Sequence, residues 1–256
     1  MPSLGQSTAA LFSPPRRWLM QMWGHPDINA RQKWAGMWSR LERLPSNNLR
    51  VLDAGCGVGH WSLELASRRP GWAIVGLDRD PAAIAEAERD RDRLGLTNVT
   101  HVQGDFLTQR FEEAFDVVLS VSAAHYLAEL GQGRELFRQM RSWLRPRGRL
   151  LLLAPRAVGE AGFTPRLPRP EWPTVFTAPQ LRTLCESSGL RVDALDGLVG
   201  PAGAIAKQLG WGVGDRGWAA RAAVYPAQLA CLAVDALQVV PPARSVMWVL
   251  EATADA

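Results

Sequence analysis

The stretch Val51-Leu52-Asp53-Ala54-Gly55-Cys56-Gly57-Val58-Gly59 limits what this chain can fold into more than any other. A short apolar run that ends in an acid, breaks into alternating glycines and leads into a helical pattern reads as strand, tight turn and helix. Glycine accepts positive φ there and lets the backbone approach a ligand that a Cβ would push away. The helix that follows presents unsatisfied N–H groups. In open α/β sheets such a turn sits at the carboxyl end of a strand, where ligands bind.

The flanking sequence fits that frame. Short apolar runs alternate with helical stretches, the pattern of βαβ units and of a parallel sheet buried on both faces. Strands are expected at Arg50 to Asp53, Ala73 to Leu77, Thr100 to Gln103, Asp116 to Ser120, Arg149 to Ala154 and Leu190 to Leu195, with a strand-like run at Ser245 to Glu251. Asp80 before Pro81 marks one helix start, and Thr177 with Gln180 forms a capping box at another. At 256 residues one domain is the default. The predicted fold is α/β: a doubly wound, mainly parallel sheet with added N-terminal helices and a C-terminal lid insertion.

The spacing of the glycines narrows the ligand. Dinucleotide binders place G-x-G-x-x-G so that a pyrophosphate rests on the helix N-terminus, whereas here the glycines fall at 55, 57 and 59. Asp53 beside them would repel a pyrophosphate and suits a cationic sulfonium, which favours S-adenosylmethionine over a nicotinamide. Asp78, with Arg79 next to it, ends the second strand where an acid can accept from both ribose hydroxyls. Asp105 and Phe106 follow the third strand, where a carboxylate can bond an adenine amino group and a ring can cover its face.

Together these residues resemble the class I S-adenosylmethionine-dependent methyltransferases, whose glycine-rich turn, second-strand acid and third-strand Gly-Asp pair match positions 53 to 59, 78 and 104 to 105. The resemblance runs from residue 49 to residue 155, and Arg147 stands where the family's turn into its fifth strand has glycine. It implies a Rossmann-like, seven-stranded sheet with an antiparallel last strand, which Ser245 to Glu251 is placed to supply. It also implies S-adenosyl-L-methionine as cofactor, held by Asp53, Gly55, Gly57, Gly59, Asp78, Arg79, Asp105, Phe106 and Ser120, with no metal required. Acceptors enter past the loop Ser120 to Tyr126, where His125 is the candidate general base and His25 competes for that role. His60 and His101 read as structural.

The segments outside this core decide the acceptor. Residues 1–17 read as a flexible N-terminus, 18–48 as an aromatic helical cover, and 49–256 as the main domain with cover segments at 155–179 and 197–240. Trp23, His25, Tyr126 and Trp172 are the candidate acceptor-binding residues. Eleven tryptophans, mostly outside the core, suggest a small apolar or aromatic acceptor such as a lipid, a quinone or a secondary metabolite. Equally, they serve to pack the added helices. The Asn/Asp-Pro-Pro-aromatic signature of base-amine methylation is absent and the arginines are interleaved with acids, so no nucleic-acid partner is expected. A nicotinamide oxidoreductase and a cofactor binder without methyl transfer remain as alternatives. Three scattered cysteines, no signal-like start and no long apolar run predict a cytoplasmic protein, with peripheral membrane contact open through residues 222 to 240.

Overall fold

A computed structural model describes residues 28–124, 132–156, 176–200, 202–203, 205–206, 209, 218–236 and 247–255. The element order is α1 (Ile28–Leu41), β1 (Arg50–Ala54), α2 (His60–Arg68), β2 (Ala73–Asp78), α3 (Pro81–Leu94), β3 (Val99–Gln103), β4 (Phe115–Val121), α4 (Gly133–Trp143), β5 (Leu144–Pro155), α5 (Ala178–Glu186), β6 (Leu190–Gly197), α6 (Trp218–Ala236) and β7 (Met247–Ala254). The strands form one seven-stranded sheet in the order β3-β2-β1-β4-β5-β7-β6. β1 to β5 run parallel, while β7 is antiparallel to both β5 and β6. This is the doubly wound, Rossmann-like sheet expected of the sequence, with the last strand reversed.

Neighbouring residues in one strand bury on opposite faces, which explains the continuous apolar runs. Leu52, Val118, Leu150, Leu152 and Leu250 join a cluster with Leu136, Phe137 and Met140 of α4 and Leu181 of α5. Val51, Val117, Leu119, Leu151, Leu153 and Val249 join the other cluster, with Met37 and Leu41 of α1 and Leu63 and Leu65 of α2. A side chain of either kind in the Leu150–Leu153 run meets a helix layer, so no position there tolerates a polar group.

The expected helix starts are present. Asp80 accepts the Ala82 N–H at 2.9 Å ahead of Pro81. Thr177 accepts from the Gln180 N–H at 3.2 Å while Gln180 accepts from the Thr177 N–H at 2.9 Å. Each end is thus fixed by a local bond that spares an orphan donor.

Several boundaries move. β5 begins at Leu144 rather than Arg149 because Leu144 already pairs with Phe115 before the register shifts at Val117. β7 is displaced toward the C-terminus, to Met247–Ala254. α6 starts at Trp218 and carries Pro226 inside it; residues 237–240 lie outside the described residues. The described tryptophans divide between core and covers: Trp72, Trp143 and Trp248 are buried, while Trp34 stacks on Trp38 at 5.4 Å and packs at a tilt on Trp61 at 4.4 Å. Arg68 lies over Trp34 and Trp38, and this aromatic layer fastens α1 to α2. No helix among the described residues is long and apolar enough to cross a membrane.

Arg147, at the position where the family has glycine, sits at φ 63 at an exposed, irregular point of β5 between the pairings of Leu144 and Arg149. A side chain in this left-handed region costs about 1 kcal/mol. Arg147→Gly should therefore raise the free energy of unfolding by up to about 1 kcal/mol, less what glycine's added freedom in the unfolded chain removes. Urea titration of both proteins measures it, and a clear loss of stability would refute the strain.

Candidate functional site

The strand order reverses between β1 and β4, so a crevice opens at their carboxyl ends. The glycine turn lies at this switch point. Its first N–H groups are tied to β2, with Gly55 and Cys56 both donating to the Leu77 carbonyl at 2.8 and 3.0 Å. Gly55, Gly57 and Gly59 all have positive φ, at 78, 54 and 82°. Only one of the three faces open space. A Cβ on Gly55 would stand 2.3 Å from the Ala123 Cβ, and one on Gly59 would stand 2.9 Å from the Ala87 Cβ and 3.0 Å from the His101 ring. A Cβ on Gly57 would meet nothing within 4 Å. Gly57 is thus glycine for its backbone conformation and for what comes to the surface it leaves bare.

Asp78, half-buried at the end of β2, turns its carboxylate to this spot. Oδ2 accepts the Gly57 N–H at 2.8 Å and Oδ1 accepts the Asp80 N–H at 3.0 Å. A carboxylate held by two backbone donors keeps its remaining lone pairs for hydroxyl donors of a ligand. Arg79 beside it is exposed. Asp105 is exposed past the end of β3, with Oδ1 fixed by the Leu107 N–H at 2.9 Å. Phe106 is half-buried and its ring packs on Trp143 at 4.9 Å, so much of its surface belongs to the core.

Asp53 and Ser120 stand underneath rather than in the crevice. Asp53 is buried, and Oδ2 accepts the N–H of Ser62, the third residue of α2. Gly59, the residue before that helix, has no side chain with which to cap it, and the carboxylate of β1 takes the task. Burial pushes the Asp53 carboxyl up to about 7; the nearby charge of Asp78 adds to this, and the Ser62 bonds oppose it. The Ser120 hydroxyl donates to the Ala54 carbonyl at 3.0 Å and joins β4 to β1 at the crevice floor.

His101, structural on its sequence position, is wedged beneath the turn. Its ring meets the places where Gly59 and Gly76 would have side chains, Nδ1 bonds Glu88 Oε1 at 2.7 Å and Nε2 bonds Ser62 Oγ at 2.9 Å. A carboxylate only accepts, so Nδ1 carries the hydrogen and Nε2 of the neutral ring is an acceptor facing Ser62 Oγ, whose single hydrogen is also within reach of the Gly59 carbonyl at 3.2 Å. Burial lowers the His101 pKa against the pull of Glu88 and favours this neutral form. Cys56, in the turn itself, is a buried thiol that burial holds far above the usual range.

Two residues that the sequence does not single out meet at the end of β4. Ser122, directly after β4, has φ 56 and donates its N–H to the Leu153 carbonyl at 2.8 Å. Lys33 of α1 donates from Nζ to Ser122 Oγ at 3.0 Å. Trp23, His25, His125, Tyr126 and Trp172 lie outside the described residues. Among the described residues no cluster of His, Cys, Asp and Glu could hold a metal ion.

The turn, the open face at Gly57 and the Asp78 carboxylate fit an adenosyl ligand with a ribose diol, and they match known proteins. The family model described as "Methyltransferase domain" matches residues 45–178, so the chain belongs to the class I S-adenosylmethionine-dependent methyltransferase family. Release factor glutamine methyltransferase of Escherichia coli (strain K12) is 36% identical over 80 residues, 31% of this chain and 29% of that protein. Trans-aconitate 2-methyltransferase of Escherichia coli O139:H28 (strain E24377A / ETEC) is 34% identical over 116 residues, 45% of this chain and 43% of that protein. These matches span less than half of the relatives' own lengths. Among solved structures the cyclase SpnF has the same fold, with a TM-score of 0.63 at 19% identity over 89% of this chain and 82% of that one. S-adenosyl-L-methionine is the cofactor that goes with the family.

The buried carboxyl of Asp53 predicts a pH dependence. Its folded-state pKa, about 7, exceeds the ordinary 3.8, so the folded protein holds a proton that the unfolded chain has lost between those values. Stability from this group is full below the lower value, falls as pH rises toward 7, and is gone above it, a span on the order of 4 kcal/mol. Asp53→Asn keeps an oxygen for the Ser62 N–H and loses the titration. Relative to wild type it should gain stability between pH 5 and pH 8 in urea titrations; a difference that stays constant with pH would contradict the assignment.

Proposed function

We propose that the protein is an S-adenosylmethionine-dependent methyltransferase that alkylates a small-molecule acceptor with an apolar or aromatic body by in-line transfer. The observation that carries this reading is the bare face of Gly57, with its N–H on the Asp78 carboxylate, at the switch point of the sheet. When bound, the cofactor supplies an already activated methyl group. The chain's residues bind, align and exclude water. In this reading Asp78 takes the ribose hydroxyls, Gly55, Gly57 and Gly59 shape the turn under the ligand, and Asp105 and Phe106 face the base. Arg79 lies at the rim. Asp53 and Ser120 keep the turn and the crevice floor in register.

The loop after β4 brings the acceptor to the crevice, with His125 as the group that takes its proton and Trp23, His25, Tyr126 and Trp172 as walls. The apolar body is supported by α6, which packs on α1 and leaves Leu229 and Val234 exposed. Two relatives named for methylating a protein glutamine and trans-aconitate show that related domains serve acceptors of different chemistry. A second reading, cofactor binding without methyl transfer, draws on the shared fold of SpnF, which is described as a cyclase. A cytoplasmic location accords with three cysteines that are free thiols.

Calorimetric titration with S-adenosylhomocysteine, with NADH as the comparison ligand, tests the cofactor. Binding of the former alone is expected. Asp78→Ala should weaken it by about tenfold or more, the worth of one charge-assisted hydrogen bond, and unchanged affinity would remove Asp78 from the site. His125→Ala should lower the turnover of an accepted substrate by about a hundredfold while cofactor affinity stays level; equal turnover would exclude it as the base.

A further inference from the structure

The register of the sheet sets Asp53 of β1, Gly76 of β2 and His101 of β3 side by side in one row. Neighbours in such a row turn their side chains to the same face. Gly76 is the gap in it. A Cβ there would stand 2.5 Å from His101 Cδ2, so the bare backbone of β2 is what lets the imidazole lie across the strand toward β1.

Asp53 and His101 meet at one residue. Ser62, wholly buried at the third position of α2, gives its backbone N–H to Asp53 Oδ2 at 3.0 Å and sets its Oγ 2.9 Å from His101 Nε2. A single bond to a helix end fixes a distance and leaves rotation about it. Two bonds, from the strands on either side of β2, also fix the orientation. The hydroxyl has one hydrogen and a second acceptor, the Gly59 carbonyl at 3.2 Å, which already takes the Leu63 N–H at 2.9 Å. Given to Nε2, the hydrogen leaves both acceptors with a donor; given to Gly59, it leaves a lone pair of Nε2 facing a lone pair of the oxygen.

The ring is itself held from outside. β3 is an edge of the sheet, and Glu88 of α3 meets it there: Oε1 accepts the His101 backbone N–H at 2.9 Å and the Nδ1 hydrogen at 2.7 Å, while Oε2 pairs with Arg91. Backbone and ring of one residue are thus tied to the same oxygen. The imidazole is fixed along the strand and about its own side-chain torsions.

We infer that His101 is a positioning residue for the cofactor: through Ser62 it sets the start of α2, and with it the turn whose Gly57 N–H bonds Asp78 beside the bare face. This role rests on the cofactor reading above. It assigns part of the cofactor's affinity to a side chain wholly buried beneath the turn.

Calorimetric titration of the full chain with S-adenosylhomocysteine, at a temperature where circular dichroism shows every variant folded, tests the role. The side-chain amide of an asparagine reaches the place of Nδ1, and that of a glutamine reaches the place of Nε2. His101→Asn therefore keeps a donor for Glu88 and gives up Ser62, while His101→Gln keeps an acceptor for Ser62. His101→Asn and Ser62→Ala should each lose about tenfold in affinity, and His101→Gln should recover most of that loss. The double variant, His101→Asn with Ser62→Ala, should lose no more than either single one. If the imidazole only fills space, melting temperatures fall while the affinities of the folded variants equal that of wild type, and the positioning role is overturned. It is overturned equally if His101→Gln loses as much as His101→Asn, or if the single losses multiply to about a hundredfold in the double variant. Each of these outcomes leaves the cofactor reading standing, since wild type still binds. A wild type that binds no S-adenosylhomocysteine overturns both.

Discussion

The bond from the Ser62 N–H to the Asp53 carboxylate is the constraint on which the cofactor end of the molecule is built. It spans the glycine turn, joining the end of β1 to the start of α2, and so sets the angle at which the helix leaves the strand. The turn between them has no other side chain able to do this, since Gly59 is the capping residue. With the two ends fixed, positive φ at positions 55, 57 and 59 is the route left for the backbone. The N–H of Gly57 then points at Asp78, and strand β2 is brought into the same site. The arrangement keeps a carboxyl out of water, and the protein accepts that cost for a rigid floor.

A rigid floor needs rigid strands beneath it, and the central sheet supplies them by burying both faces. β1 and β4, which flank the crevice, are almost wholly buried along their length. At the crevice floor the Ser120 hydroxyl bonds the Ala54 carbonyl and ties β4 to β1.

What could be read from the sequence follows from how local each feature is. The turn, Asp78 and the caps at Asp80 and Thr177 declare themselves because a positive φ or an orphan N–H dictates the residue type within a few positions. The alternation of buried faces in Leu150–Leu153 is equally local. The bond between Lys33 and Ser122 joins residues 89 apart, and nothing near either position marks it. It exists because Gly36 and Arg40 seat α1, and those contacts are visible only once β6 and β7 are in place. The early start of β5 was hidden for a similar reason, since Leu144 is strand only by pairing with Phe115 ahead of the register shift around Arg147. Phe106, which reads as a cover for a base, also packs its ring on Trp143, a contact set by where α4 ends.

The imidazole of His101 fills room left by two glycines from different strands and turns, Gly59 above it and Gly76 beside it, and its nitrogens are matched to Ser62 and Glu88. These five positions form one lock, scattered over 43 residues of chain between Gly59 and His101 inclusive. Drift at any single one of them is blocked by the other four, so homologous chains should change the set as a group or keep it whole. A relative with a small residue in place of the histidine would lose one of the contacts that hold positions 59 and 76 to glycine, while Ala87 beside the first and Cys56 beside the second would still crowd a Cβ.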